Sequence, residues 1–194
     1  VTGDADTTMN LTVGAGGLTA TGDVVVSAAA DNTVASAVKS TSGGVVDVPV
    51  LTSTATQAAA TTAAIDGDVL GSTGLSVAAR SGNDVDAELR STGISLASVA
   101  TSYALGTLTG AADTSARFGS GRLVTSGEVS VTAASHNDVH VLTDTLAVGV
   151  VGVGSGQPTA LIDAATTAEF GGRQQGGTKL EVTATADNRA DIAA

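Results

Sequence analysis

Residues 127–141, GEVSVTAASHNDVHV, alternate apolar and polar side chains. Val129, Val131 and Ala133 fall on one face, and Val139 and Val141 follow in the same rhythm. Period-2 alternation is the signature of a half-buried β-strand. The run His136-Asn137-Asp138 interrupts the apolar face, and we read it as a corner between two strands. Three other stretches align with this one: GDVVVSAAADNTVAS from Gly22, GLSVAARSGNDVDAE from Gly74 and TKLEVTATADNRADI from Thr178. The asparagines Asn32, Asn83, Asn137 and Asn188 coincide, at spacings of 51, 54 and 51 residues. The sequence predicts a corner ladder, in which the amides tolerate left-handed backbone and hydrogen-bond to their equivalents above and below.

A second anchor keeps the same period. TAAIDGD (62–68), SARFGSG (115–121) and TAEFGGR (167–173) bring Ile65, Phe118 and Phe170 into register, and these three read as core plugs. Two anchors with one period of about 52 residues mark an array or solenoid. The expectation is an all-β chain, a β-solenoid (β-helix) forming an elongated rod. Its units are the end of a preceding repeat (1–21), three repeats (22–73, 74–126 and 127–176) and the start of a fourth (177–194). Fifty-two residues are long for one short-sided coil, so two coils per repeat are expected, the second running through 92–121. At about 4.8 Å per coil, the chain would then make a rod of about 35 Å. Stacked hairpins closed at SHND are the alternative topology.

Composition narrows the interior. Aromatic residues are 2 % of the chain (Tyr103, Phe118 and Phe170), charged residues are 14 %, and glycine occurs 25 times. Only a narrow core of small side chains can be filled from such a list. The net charge of −11, with eight scattered basic residues, argues against nucleic acid and against docking on an anionic membrane. The longest apolar run, LAVGVVGVG (146–154), is far short of the roughly 20 residues of a membrane span. No cysteine is present, so there is no disulfide framework. The chain opens at Val1, without an initiator Met or a signal peptide, and both ends fall inside a repeat. We therefore expect a segment of a longer polypeptide, or one that stacks end to end on copies of itself, because a bare strand edge pairs with whatever resembles it.

Candidate chemistry is sparse. Asp84, Asp86 and Glu88 alternate along one predicted strand and put three carboxylates on one outward face. That spacing could hold Ca²⁺, the one cofactor the pattern suggests. The plainer reading is a solvated acidic face balanced by Arg80 and Arg90, since no calcium-loop motif is present. Asp4, Asp6, Asp66 and Asp68 read as turn acids. His136 and His140 flank the third asparagine and would need carboxylate help, for example from Asp138, to hold a metal; the other repeats lack both, so a surface coincidence is the simpler reading. No nucleophile constellation is present, and no enzyme is expected. Thr183 and Thr185 share a face, but their equivalents do not continue a threonine ladder, which argues against an ice-binding surface.

The pattern tGdVxVxAxxdNxvxA…tAxIxxG resembles the repeats of filamentous-haemagglutinin-like giant bacterial surface adhesins, exported by two-partner secretion or as autotransporter-type exoproteins. The resemblance covers nearly the whole chain. It implies an extracellular, fibrous, non-catalytic stalk at the bacterial cell surface that carries adhesion or cell–cell contact. Its implied partners are neighbouring repeats or further copies of itself, with a cell-surface glycan or another cell beyond them. A polysaccharide-binding or polysaccharide-cleaving β-helix is the alternative from another class. Such a protein should break the repeat at one locus with paired acids and sugar-stacking aromatics, and the sequence has no such locus.

Overall fold

The computed structural model describes residues 1–3, 6–14 and 16–194, of Thr2 the backbone only. Every element is a β-strand, and every ladder is parallel. The strands are β1 Thr2–Gly3, β2 Thr7–Thr12, β3 Val24–Asp47, β4 Val50–Gln57, β5 Thr61–Asp66, β6 Val69–Leu70 and β7 Leu75–Leu108. They continue as β8 Thr114–Phe118, β9 Arg122–Thr125, β10 Glu128–Val148, β11 Val151–Ile162, β12 Thr166–Phe170, β13 Arg173–Gly176 and β14 Lys179–Ala193. A seven-stranded sheet is centred on β7, which pairs with β3 and β4 on one edge and with β10 and β11 on the other; β10 then pairs with β14, and β1 with β4. The order β12-β8-β5-β2 makes a second sheet, and β13-β9-β6 a third. Parallel ladders throughout rule out stacked hairpins, whose strands would run antiparallel.

The register follows the repeat. Asn32 pairs with Asn83, Asn83 with Asn137, and Asn137 with Asn188; Ile65 pairs with Phe118, and Phe118 with Phe170. Each residue therefore lies beside its equivalent one whole repeat away, with no intervening coil. This corrects the expectation of two coils per repeat: one repeat is one layer. Four layers at about 4.8 Å span roughly 15–20 Å, half the length that two coils would give.

The extra chain length goes sideways. After the asparagine the strand continues outward and doubles back over itself near Ser95 in the second repeat. A Cβ added at Gly93 would lie 2.4 Å from the Ser98 hydroxyl, and one at Gly106 would lie 2.8 Å from side-chain carbons of Val139 and Val141. The equivalent reversals lie at Gly44-Val45, within β3, and at Gly149-Val150, between β10 and β11. The two arms of this arch meet through side chains rather than through ladder hydrogen bonds. In the first repeat the Ser53 hydroxyl donates across it to the Ser36 carbonyl at 3.0 Å.

Two interiors result. The body holds Val24, Val26, Ile65, Val69, Leu75, Val77, Phe118, Leu123, Val129 and Val131. The arch holds Val34, Ala55, Val85, Ala87, Leu89, Ala104, Leu108, Val139 and Val141. Phe118 and Phe170 stack with centroids 5.1 Å apart. Glycine is required where the body turns: Gly67 has φ 116°, and a Cβ at Gly127 would lie 1.9 Å from the Thr73 carbonyl oxygen.

The asparagines are not corners. Asn83 and Asn137 are fully inward, β7 and β10 run straight through them, and among the described residues no non-glycine residue has positive φ. The apolar face is interrupted there because a polar partition crosses the interior. Nδ2 of Asn32 donates to Oδ1 of Asn83 (3.0 Å), Asn83 to Asn137 (2.8 Å), and Asn137 to Asn188 (2.7 Å). Beside this ladder, Ser81 bonds Thr114 and Ser135 bonds Thr166, each at 2.6 Å. The partition separates body from arch.

Candidate functional site

The outward side chains on either side of the partition form columns, because parallel in-register strands set equivalent residues about 4.8 Å apart. One column reads Asp31, Gly82, His136, Asp187; the next Thr33, Asp84, Asp138, Arg189; the next Ala35, Asp86, His140, Asp191. A fourth begins Ala37, Glu88, Leu142. The result is a two-dimensional array of acids and histidines, read along strands in one direction and across repeats in the other. It is the richest chemistry on the molecule.

Within the array, His136 Nδ1 lies 2.9 Å from Asp187 Oδ2, and His140 Nε2 lies 3.4 Å from Asp191 Oδ2. Arg189 Nη2 also reaches Asp191 Oδ2, at 2.5 Å. Gly82 leaves a notch, a cleft of about 230 Å³ bordered by Asp31, Asn32, Asp84, His136 and Asp138. Asp31 leans over the notch, so that a Cβ at Gly82 would lie 2.7 Å from its Oδ1.

The carboxylates singled out in the sequence have several fates. Asp84 and Asp86 are exposed and lie on neighbouring columns, while Glu88 pairs with Arg90. Among the described residues, the set whose donor atoms converge is a different one, Asp138, His140 and Asp191, all within 4.8 Å of one another. Asp66 takes the Arg117 guanidinium at 2.9 and 3.0 Å. Asp6 and Asp68 accept from the backbone N–H of Ala60 (2.8 Å) and Arg122 (2.7 Å), one layer away. Asp113 does the same for Ala165 at 2.7 Å, so turn acids tie one layer to the next. Asp4 lies outside the described residues. Thr183 and Thr185 pair with Thr132 and Ala134, and the threonine row stops there. At the start of β14, the hydrogen bond from Lys179 holds the Glu181 carboxyl below its usual range, and the same contact raises Lys179.

Asp191 was absent from the sequence-based site because it lies a whole repeat beyond His140. The signal was nonetheless present in the repeat alignment, which puts the two at one position.

A second surface carries no charge. At the arch tip Val45, Leu96 and Val150 are 70, 60 and 84 % exposed, and Val46, Ile94 and Val151 lie beside them, also exposed. The apolar run 146–154 thus becomes a solvent-facing stripe repeated in three layers. Among the described residues no helix is long and apolar enough to cross a membrane. No protein-family model matches the chain, and neither does any curated protein or solved structure at a significant level.

Proposed function

We propose that the chain is a stalk or filament segment of a large secreted bacterial surface protein, its layers forming a β-solenoid, and that the parent protein serves adhesion or cell–cell contact. The observation that carries this reading is the register: equivalent residues pair across every repeat boundary, so each further repeat adds one more layer of the same cross-section. Such an array lengthens without limit and depends only on nearest-neighbour contacts. Leu180, Val182 and Ile192 of β14 stand in register with Val129, Val131 and Val141 of β10, so the inward pattern is carried from one layer to the next.

The alternative, a polysaccharide-binding or polysaccharide-cleaving β-helix, has acids in the notch above Gly82. It lacks sugar-stacking rings there: Phe118 and Phe170 stack on each other inside the body, and Tyr103 is on the return arm of the arch.

The test is to duplicate residues 75–128, the full register length from Leu75 to the residue before its partner Val129, in tandem and image the products by electron microscopy. The reading expects a rod whose length grows by about 4.8 Å for each inserted repeat, at constant width. Particles that widen or stay discrete and compact as repeats are added would sink it. Glycan-array binding that survives with a single repeat pair would favour the alternative.

A further inference from the structure

The acid–histidine array contains one place where three metal-ligating groups converge from two repeats. β10 projects Asp138 and His140 from the same face, two residues apart, and β14 places Asp191 beside His140 one layer on. The donor atoms of all three lie within 4.8 Å of one another. Ligand atoms about 2.1 Å from a tetrahedral ion are about 3.4 Å apart. His140 Nε2 and Asp191 Oδ2 already stand at 3.4 Å. Independently, Asp138 Oδ1 is shielded from solvent and has no hydrogen-bond partner. A buried carboxylate oxygen without a donor is costly unless a cation or proton donor meets it.

We propose that Asp138, His140 and Asp191 form a three-ligand site for a divalent transition-metal ion of the zinc class, with water in the fourth position, which clips the third repeat to the fourth. One imidazole and two carboxylates suit zinc and its neighbours, whereas Ca²⁺ takes six to eight oxygens and has no use for the histidine. Arg189 is the internal competitor. It reaches Asp191 Oδ2 at 2.5 Å, the same oxygen that stands 3.4 Å from His140 Nε2, and a carboxylate oxygen has two acceptor positions to share between them. Arg189 and the metal therefore draw on the same carboxylate, and binding of one weakens the other. At the preceding junction the equivalent positions are Asp84, Asp86 and His140, but His140 turns its Nε2 to Asp191, so among the described residues the donor atoms converge at the later junction.

Titration calorimetry of the whole chain with Zn²⁺, and visible absorption with Co²⁺, test the assignment. The expected result is one ion per chain with a tetrahedral Co²⁺ spectrum. His140→Ala and Asp191→Asn should each weaken binding by more than about tenfold, since even outer-shell losses cost about 10- to 100-fold. Asp138→Asn should weaken it and change the Co²⁺ spectrum. Arg189→Gln should tighten it several-fold, an effect opposite to that of losing a mere surface ion pair. His136→Ala and the double change Asp84→Asn with Asp86→Asn should leave it unchanged. The assignment is overturned if Zn²⁺ does not bind, if Ca²⁺ binds as tightly, if His140→Ala retains affinity, or if Arg189→Gln lowers it. All of these side chains are at least partly exposed, so the variants should fold.

Discussion

The body and the arch are built from the same strands, yet they are filled by opposite means. In the body, each layer brings three walls together, and the space between them takes Phe118, Ile65, Leu123 and a set of valines, all essentially fully buried. In the arch, two arms face each other directly. There Val85, Leu89, Leu108, Val139 and Val141 fill the base, while the remaining inward positions carry Ala87, Ser91, Ala100, Ser102 and Ala104 in the second repeat, and Thr143 and Thr145 face Gly156 and Gly154 in the third. Side-chain size sets the width: large residues hold walls apart, while small ones let them close. The body accordingly stabilises by apolar burial throughout, whereas the arch combines an apolar base with an outer part that encloses Ser91, Ser98, Ser102, Thr143 and Thr145 hydroxyls without a protein partner. That outer part rests chiefly on the ladders to neighbouring layers.

The largest effect should come from emptying the body. Phe118 is completely buried and contacts both neighbouring layers through Ile65 and Phe170. Phe118→Ala should cost about 3–5 kcal/mol by urea denaturation. The same measurement on Ser102→Ala, in the arch, should change stability by less than about 1 kcal/mol or raise it, because the removed hydroxyl is unpartnered. Equal losses at the two sites would remove the distinction between the interiors.

The partition should come next. Asn83 bonds Asn32, Asn137 and Ser81 at once. Asn83→Ala would leave an Asn32 donor and an Asn137 acceptor unmet inside the fold, at about 1–3 kcal/mol for each unmet group. Asn83→Asp tests whether the loss is one of shape or of amide donors: it keeps the volume and should still destabilise, because a carboxylate cannot donate to Asn137. An unchanged midpoint for Asn83→Ala would mean that the ladder is decorative.

Much of this architecture was legible in the sequence. Period-2 alternation gave the strands, and the Asn and Ile/Phe anchors gave the residues that pair, because an in-register parallel array makes sequence alignment and spatial neighbourhood the same thing. The arch was not legible. Nothing in the sequence between 92 and 108 distinguishes a second coil from a strand that doubles back in the same layer: both need alternating small residues and a Gly- or Ser-rich turn. Asn83 was misread as a corner for a related reason. A polar residue on an apolar face looks like a break in the strand, whereas here its amide is satisfied along the stacking direction. The candidate metal ligands were legible only in part, since His140 and Asp138 are local and Asp191 is supplied by the next layer.

A smaller effect should sharpen the account of the partition. Ser81 and Ser135 each bond the threonine opposite, but the first repeat has Ala30 at that position, and Thr61 Oγ1 is buried without a partner. Ala30→Ser should restore the missing bond and raise stability by about 0.5–1.5 kcal/mol. The converse change, Ser81→Ala, should lower it, since Thr114 would then be stranded as Thr61 is now. If Ala30→Ser is neutral while Ser81→Ala destabilises, the first layer already satisfies Thr61 with water.

The smallest effect separates the outer surface from both interiors. Lys179 and Glu181 alternate on the exposed face of β14, and their contact lowers the Glu181 pKa and raises that of Lys179. A carboxyl held low in the folded state contributes stability above its unfolded pKa and loses it as the pH falls through the folded value. The lysine, held high, contributes below its unfolded pKa and loses that contribution only in strongly alkaline solution. Both groups are fully exposed, so solvent screens the pair. Lys179→Ala should therefore leave the unfolding midpoint at neutral pH within error. Its one visible consequence should be that the Glu181 carboxyl, followed by NMR, titrates at a higher pH, back in the ordinary carboxylate range. A clear loss of stability at neutral pH would show that the edge strand depends on its surface charges, and the contrast drawn between buried partition and solvated face would fail at this end of the array.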